Sequence, residues 1–399
     1  MKNADIIIIG GGIAGCSAGA LLSQTANVII LEQESHPGYH ATGRSAATLA
    51  PYYGPEVIRQ LTAMSTAYLT SPPPAISDNA FTSPRGEMIL VGRQAVDINE
   101  QNKIPEIKPT AKQTQALIEE NLAYGMRSMS VNEAQELVSL LKPDAIDQVL
   151  YTDKLVSIDV DALHQSGIKQ IRESGGELIC TAQVTNLTRS DNQWQVTVDT
   201  NSVGAPAEAH YQAPTIINAA GAWADTVAQL AGLPAAGLQP KRRSAALVPF
   251  ANLENGSPSM DSWPLLLDIH EQFYGIPFGS GLMVSPADET PVDAHDVSPE
   301  EIDLATGLDN FQQLIDYDVK TISHRWAGLR TFAADGDPVV GFDPLTEGFF
   351  WLAGQGGYGI QTSPALARFC NYLVNRHSGE DTDAFDRIEK QLSPARLNR

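Results

Sequence analysis

The N-terminal part of the chain alternates between apolar runs and short polar breaks. Ile6–Ile9 is apolar at every position, which is typical of a parallel strand covered on both faces. Small and apolar residues continue from Ile13 to about Gln24 and predict a helix, and a second apolar run, Val28–Leu31, follows. The order strand, helix, strand predicts a βαβ unit at the start of the chain.

Further along, the period of the apolar positions changes several times. Residues 159–174 follow the spacing of an amphipathic helix. Gln193–Val198 alternates polar and apolar residues and predicts a strand with one buried face. Thr215–Gly221 reads as a strand that ends in small residues, and from about 245 to 329 aromatic, β-rich segments alternate with turns. The latter pattern indicates an antiparallel sheet.

Glycines occupy the turn between the first predicted strand and the first predicted helix. Gly10, Gly12 and Gly15 have GxGxxG spacing, which permits a tight turn, close approach of the backbone to a pyrophosphate, and close packing of helix on strand. Glu32 follows 20 residues after Gly12, where a carboxylate can accept hydrogen bonds from a ribose hydroxyl. The motif is therefore a dinucleotide-binding fingerprint, and the charge of Glu32 disfavours a 2′-phosphate.

Composition narrows the range of partners. Of the 399 residues, 43% are hydrophobic and 18% charged, as in an ordinary globular protein of two or three structural units. The formal charge of −21 argues against nucleic acid, because phosphate binding needs clustered Lys and Arg.

Three further features of the sequence concern disulfides, metals and membrane segments. They are the positions of the cysteines, the positions of the histidines and the lack of long apolar runs. The three cysteines are widely separated and the eight histidines lack metal-ligand spacing, so we expect neither disulfides nor a metal. No run approaches the roughly 20 apolar residues of an integral membrane segment, and no signal peptide is evident. We expect a cytoplasmic protein, with peripheral contact with the inner membrane left open.

Four motifs carry a resemblance to a known family. The segment GYHATGRSAA at 38–47 follows Glu32, and INAAGAWAD, WAGLRTFAADGDPVVG and FFWLAGQGGYGIQTS begin at residues 217, 326 and 349. Together with the fingerprint GGGIAG, they resemble the flavoprotein family of D-amino-acid oxidases, glycine oxidases and D-amino-acid dehydrogenases. Within that family the chain looks closest to the bacterial D-arginine-type dehydrogenases.

The resemblance implies an α/β fold. A Rossmann-like FAD-binding domain of the glutathione-reductase type would carry a discontinuous α+β substrate domain built on an antiparallel sheet. The expected FAD-binding domain comprises residues 1–79, 150–244 and 330–399, and the substrate domain comprises 80–149 and 245–329.

The cofactor that the resemblance implies is FAD, bound non-covalently. The strand Phe349–Ala353 leads into a glycine loop, and Pro364 is expected near the start of the next helix. Such a loop and helix N-terminus place backbone N–H groups beside a ligand. The expected FAD-binding residues are Gly10, Gly12, Ala14, Gly15, Glu32, Gln33, Ala41, Thr42, Gly43, Arg44, Ser45, Ala46, Val184, Ala220, Gly221, Gly356, Gly357, Tyr358, Gly359, Ile360 and Gln361.

Arg330 is the first candidate for binding substrate. A guanidinium can hold a carboxylate with two parallel hydrogen bonds, although an Arg near Asp335 and Asp337 can also pair with one of them. The resemblance assigns Arg330 and Tyr274 to the substrate carboxylate. It also implies substrate contacts by Arg243 and Gly357 and by Tyr53, whose loop between Pro51 and Gly54 is expected to act as a lid.

Glu87 and Thr48 concern the side chain and the amine of the substrate. A carboxylate at Glu87, directed into the cavity, would favour D-arginine or D-lysine, as the resemblance implies. From sequence alone, a solvated Glu at the start of a strand is the alternative. Thr48 stands where related dehydrogenases carry a histidine, and a hydroxyl can bind the amine but cannot act as a titrating base.

The sequence thus predicts FAD-dependent oxidative deamination of D-amino acids, with basic ones preferred. A hydride would pass from Cα to flavin N5, and the imino acid would hydrolyse to a 2-oxo acid and ammonia, with quinone or another non-oxygen electron acceptor. The alternatives are a glycine, sarcosine or D-amino-acid oxidase that uses oxygen, and a non-catalytic flavin-holding subunit. A nicotinamide dehydrogenase is a more distant alternative.

Overall fold

Strands and helices mix along the whole chain. The structure, a computed structural model, describes residues 1–93, 110–200, 208–251, 253, 256–375 and 381–397. Within these ranges the helices are Ile13–Leu22, Glu56–Thr70, Ala111–Ala123, Val131–Gln135, Val160–Glu173, Ala224–Leu230, Glu301–Leu314, Gly359–Val374 and Thr382–Leu392, with 3₁₀ turns at Pro143–Ala145, Gly221–Trp223, Met260–Ser262 and Pro394–Arg396. None of these helices is long and apolar enough to cross a bilayer.

A six-stranded sheet, here called the nucleotide sheet, contains the predicted βαβ unit. In order across the sheet its strands are Glu177–Ile179, Val28–Leu31, Ile6–Ile9, Thr215–Asn218, Phe349–Ala353 and Val339–Phe342. The neighbours are parallel apart from the last pair. The fully apolar run Ile6–Ile9 lies at its centre and is buried on both sides, as predicted.

The two faces of the nucleotide sheet are covered differently. Helices Ile13–Leu22, Val160–Glu173 and Gly359–Val374 pack on one face through side chains such as Cys16, Ile168 and Phe369. A four-stranded sheet packs on the other face through residues such as Trp194. Its strands are Lys2–Asn3, Glu208–Ala213, Gln193–Asp199 and Gln183–Ser190.

A nine-stranded sheet, here called the platform sheet, forms the second large layer. Its strands are Glu87–Gly92, Arg127–Met129, Ile146–Thr152, Gln239–Pro249, Leu265–Asp268, Tyr274–Phe278, Gly281–Ser285, Thr290–Pro291 and His324–Phe332. The predicted antiparallel pairing holds for its neighbours except Leu265–Asp268, which runs parallel to Glu87–Gly92. Helix Glu301–Leu314 packs against one face through residues such as Phe311.

The smallest sheet has three strands, Thr48–Leu49, Val156–Ile158 and Thr82–Pro84.

The expected division into two domains stays a prediction. Two of its boundaries fall inside the paired strands Gln239–Pro249 and His324–Phe332. The parts of the expected domains at 94–109 and 201–207 lie outside the described residues.

The mixed α/β class is confirmed. The expected amphipathic helix at 159–174 is present as Val160–Glu173, with the Asp159 side chain accepting from the Ala162 N–H at 2.9 Å. The helix expected near Pro364 begins earlier, at Gly359, so this proline lies inside it.

Candidate active site

One face of the platform sheet carries most of the predicted substrate-binding residues. Side chains in a strand alternate between faces, so residues two apart share a face. In the pair formed by strands Gln239–Pro249 and His324–Phe332, Arg330 lies opposite Lys241 and Gly328 lies opposite Arg243. The residues on this face that line the cavity are Glu87, Ile89, Arg243, Ala245, Leu265, Leu267, Tyr274, Met283, Trp326, Gly328 and Arg330.

The cavity has a volume of about 580 Å³. The platform sheet closes it on one side. The loops that follow the strands of the nucleotide sheet close it on the other, including the fingerprint at Gly10 and Gly12 and the segment Ala219–Trp223. Ligands of open α/β sheets bind at this edge, beyond the carboxyl ends of the strands.

Two fingerprint glycines are required by close approach of the backbone. Gly10 has a φ of 112°, and a Cβ there would lie 2.4 Å from the carbonyl oxygen of Ala219. A Cβ at Gly15 would lie 2.0 Å from the carbonyl oxygen of Gly10, so the helix can pack on the strand only with glycine at this position. Gly15 itself does not line the cavity; it acts through this packing.

The ribose-binding candidate lies beside the fingerprint. Glu32 is buried, and its Oε2 accepts from the Gly11 N–H at 2.7 Å while Oε1 accepts from the Glu34 N–H at 2.9 Å. Burial raises the pKa of Glu32, although these two N–H groups favour the charged form. The Thr42 hydroxyl accepts from the Ile13 N–H at 3.0 Å, which joins the following loop to the helix N-terminus.

The C-terminal glycine loop forms another part of the wall. Gly356 has a φ of 54°, and a Cβ at Gly357 would lie 3.0 Å from Nη1 of Arg330. Glycine at 357 therefore leaves room for this guanidinium. The helix that begins at Gly359 directs its N-terminus to the cavity, which Gly359, Ile360 and Gln361 line.

Unpaired buried polar atoms in the wall fit a bound dinucleotide. Thr331 Oγ1, Gln355 Nε2 and Gln361 Nε2 are buried and have no hydrogen-bond partner among the described residues. All three residues line the cavity. Leaving a buried donor or acceptor unpaired costs about 1–3 kcal/mol, so polar groups of a ligand are expected to bind them. With the glycine cradle and Glu32, these residues fit FAD.

Most of the expected FAD-binding residues line the cavity. Gly43 and Tyr358, like Gly15, do not. Arg44 does, but its guanidinium donates to Asp296 Oδ1 at 2.5 Å and to the Ala327 carbonyl at 2.9 Å. The Arg44 guanidinium is therefore already bound within the protein, where it joins its own loop to Asp296 and Ala327. The residues that line the cavity as expected are Gly10, Gly12, Ala14, Glu32, Gln33, Ala41, Thr42, Arg44, Ser45, Ala46, Val184, Ala220, Gly221, Gly356, Gly357, Gly359, Ile360 and Gln361.

Arg330 directs an unpaired guanidinium at the cavity. It forms no hydrogen bond or ion pair with any residue in the described ranges. The pairing with Asp335 that the sequence left open is absent, because Arg396 donates to both carboxylate oxygens of Asp335, at 2.7 and 3.1 Å. An unpaired guanidinium in a cavity wall is suited to a planar anion such as a carboxylate.

Tyr274 and Arg243 lie near Arg330. Burial alone would raise the pKa of the Tyr274 hydroxyl, but the Arg330 and Arg243 guanidiniums lower it below its usual value. Arg243 lies over the Tyr274 ring, with Cζ 5.9 Å from the ring centre, and donates to Glu289 Oε1 at 2.9 Å. Its neighbour Arg242 faces the opposite side of the sheet, where Nη2 donates to Asp303 at 2.7 Å. Of the two arginines, only Arg243 lines the cavity, and its contact with substrate stays a prediction.

Glu87 is buried in the cavity wall and is not solvated. The Tyr52 hydroxyl donates to its Oε2. Burial raises the pKa of Glu87 to about 7, the hydrogen bond from Tyr52 opposes this rise, and the charge of Glu271 adds to it. Glu271 and Glu120 line the same cavity, so its wall contains two further carboxyl groups besides that of Glu87.

Tyr53 and Thr48 both line the cavity, and their roles toward the substrate stay predictions. The Tyr53 side chain is 39% exposed, and its ring centre lies 5.2 Å from that of Tyr358. The loop before it is held by Arg59, which donates to the Gly54 carbonyl at 2.6 Å. Thr48 lies on a short strand paired with Ser157, and its hydroxyl has no partner in the described part of the chain.

Sequence reasoning missed several wall residues. Tyr52, the partner of Glu87, adjoins Tyr53, and nothing in the spacing distinguishes the two. Thr331 directly follows Arg330, and Gln355 lies in the quoted glycine loop, so both were within recognised motifs. For the described residues, no group of three or more His, Cys, Asp or Glu side chains could hold a metal ion.

Comparison with known proteins identifies the class. The profile of the DAO family of FAD-dependent oxidoreductases matches residues 5–373. The chain belongs to this family, and its cofactor is FAD. A curated relative, FAD-dependent oxidoreductase domain-containing protein 1 of Xenopus laevis, is 25% identical over 423 residues that cover 94% of this chain and 79% of the relative.

Two solved structures show the same fold. Glycine oxidase from Geobacillus kaustophilus has a TM-score of 0.77 at 19% identity, covering 100% of this chain and 99% of that chain. L-proline dehydrogenase from P. horikoshii has a TM-score of 0.74 at 18% identity, covering 98% of each chain. The family and cofactor predictions are confirmed, whereas the resemblance to D-arginine dehydrogenases stays a prediction.

Proposed function

We propose that this protein oxidatively deaminates D-amino acids with cationic side chains to 2-oxo acids and ammonia, and that it passes the electrons to a quinone or another acceptor in place of oxygen. The observation that carries the proposal is the unpaired Arg330 guanidinium in the wall of a cavity that also contains buried Glu87. One group suits the α-carboxylate of an amino acid, and the other suits a cationic side chain.

The carboxylate would bind where the strands of Arg330 and Tyr274 meet the glycine loop. Arg330 can donate two parallel hydrogen bonds, and the Tyr274 hydroxyl is near enough for the guanidinium to lower its pKa. Gly357 leaves the space that the guanidinium needs. These groups would fix the α-carbon and so supply positioning.

The cationic side chain would extend toward Glu87. Tyr274 pairs with Leu267, and Glu87 pairs with Leu265 on the same intervening strand. Neighbouring strands are about 4.8 Å apart, so Glu87 lies on the order of 10 Å across the sheet from Tyr274. This separation suits a long side chain such as that of arginine or lysine, and Glu271 adds a second negative charge.

The remaining residues would act on the amine and on access of water. FAD supplies the acceptor for the hydride of the substrate Cα. The Thr48 hydroxyl can accept a hydrogen bond from the amine but does not titrate near neutral pH. Within the described cavity wall the only histidine is His40, which pairs with Glu34 at 2.8 Å. We therefore propose that no side chain acts as a base. Tyr53 would cover the site and limit the access of water.

The test is anaerobic mixing of the purified protein with single D- and L-amino acids while the flavin absorbance is recorded. D-Arginine and D-lysine are expected to bleach the flavin, and Arg330→Met is expected to lower kcat/KM at least about 100-fold. If every D-amino acid leaves the flavin oxidised, the proposal is wrong. Rapid peroxide formation in air would instead favour the oxidase alternative, and bleaching by glycine or sarcosine alone would change the substrate class.

A further inference from the structure

Gly11 in the fingerprint is held by hydrogen bonds to both its N–H and its carbonyl, which belong to two successive peptide groups. Its N–H donates to Glu32 Oε2 at 2.7 Å, and its carbonyl accepts from His164 Nε2 at 2.9 Å. The Cys16 thiol lies 3.3 Å from the same carbonyl. A glycine-rich loop would otherwise have considerable backbone freedom, so these contacts fix the orientation of the two peptide groups that flank Gly11.

His164 comes from a helix outside the fingerprint. It lies in Val160–Glu173 and is 3% exposed. Because a carbonyl oxygen only accepts, Nε2 must carry the proton of the ring. Burial lowers the pKa of His164, which favours the neutral ring, and the hydrogen bond to the Gly11 carbonyl selects the tautomer. The ring also packs beneath the next loop, since a Cβ at Gly38 would lie 2.9 Å from its Cε1.

The direction of one peptide group links His164 to the cavity. In a trans peptide the C=O of one residue and the N–H of the next point in opposite directions. The Gly11 carbonyl points toward His164, which does not line the cavity, whereas Gly12 does. The Gly12 N–H has no partner among the described residues, whereas the next N–H, that of Ile13, donates to Thr42 Oγ1.

We propose that His164 is a positioning residue for the pyrophosphate of FAD. By holding the Gly11 carbonyl, it directs the Gly12 N–H into the cavity as a donor to a phosphate oxygen. Phosphates bind at such helix N-termini because free N–H groups and the helix dipole point at them. His164 thus acts through the backbone and does not touch the ligand.

The experiment compares two ligands that differ by the pyrophosphate. The full chain is stripped of flavin, and the dissociation constants of ADP and adenosine are measured by calorimetry. His164→Leu removes the donor, and His164→Gln retains one. Gln170→Leu is the matched control, because Gln170 lies on the same helix and donates to the Ser166 carbonyl without contact with the fingerprint.

The expected result is selective for phosphate. H164L should weaken ADP about tenfold and adenosine less than twofold, while H164Q and Q170L should stay within about threefold of the wild type for both. Unchanged ADP affinity in H164L, or equal weakening of adenosine, would overturn the proposal. If H164L does not fold, His164→Asn replaces it with the same expected values, because the shorter amide cannot reach Gly11.

Discussion

Glu87 has a carboxyl group that titrates near neutral pH because of its surroundings. The side chain is 6% exposed, and burial raises its pKa to about 7, since the charged form loses hydration. Tyr52 donates a hydrogen bond that partly offsets this effect. Below this pH the group is a neutral acid, and above it the group is a carboxylate that attracts a cation. Selectivity for cationic substrates should therefore depend on pH.

We expect the ratio of kcat/KM for D-arginine to that for D-methionine to rise roughly tenfold between about pH 6 and pH 8. Glu87 gains its charge over this range, and kcat/KM reports ionisations of the free enzyme. Deprotonation of the substrate amine affects both substrates and largely cancels in the ratio. Glu87→Gln should give a low ratio that stays flat. A flat ratio in the wild type would contradict the assignment.

For individual residues, the sequence indicated which side chains line the cavity better than it indicated their hydrogen-bond partners. The family resemblance pointed to Arg330 and Arg243, and both lie in the cavity wall. The fate of Asp335 was not predictable, because its partner Arg396 lies 61 residues later and reaches it only through the fold. Tyr52 was missed for the same reason: its contact with Glu87 joins positions 35 apart.

The helix Gly359–Val374 shows how an element accommodates a residue that normally ends it. Pro364 has no N–H, so the Ile360 carbonyl lacks its usual i+4 donor. The Ser363 hydroxyl donates to this carbonyl at 3.0 Å and replaces the missing bond. The helix can therefore start at the glycine loop and keep its N-terminus at the cavity.

We expect Ser363→Ala to lower the free energy of unfolding by about 1–2 kcal/mol, because it leaves the buried Ile360 carbonyl unpaired. Urea unfolding of the stripped protein measures the change. Ser166→Ala is the control: its hydroxyl also donates three residues back, to Leu163 at 2.8 Å, where the helix supplies a backbone donor as well. Equal losses in the two variants would show that Ser363 has no special role.

Element types were predicted from periodicity, but their pairing was not. The apolar run Ile6–Ile9 and the amphipathic segment 159–174 became the expected strand and helix. The parallel pairing of Leu265–Asp268 with Glu87–Gly92 has no local signal, because these strands are far apart in sequence. Alternation showed that each strand has two faces but not which neighbours share them.

For the whole molecule, the cavity is assembled from segments that are distant in sequence. Its wall combines the fingerprint at 9–14, the segment 219–230, the platform strands and the loop at 355–361. Of the three cysteines none lines it, and Cys16 and Cys370 are buried elsewhere. His40 lies beside Trp223, with ring centres 4.5 Å apart, on the side of the nucleotide sheet. The described wall thus contains one histidine, His40, which pairs with Glu34, and no cysteine.

We therefore expect FAD to be held by non-covalent contacts alone, and its binding to stabilise both layers together. Acid precipitation should leave the yellow colour in the supernatant. Adding FAD to the stripped protein should raise the unfolding midpoint with the logarithm of its concentration, equivalent to about 2.7 kcal/mol at 100 times the dissociation constant. A yellow pellet that persists in the wild type and is lost in His40→Ala would instead show a covalent link. A midpoint independent of FAD would mean that the cavity does not bind the dinucleotide.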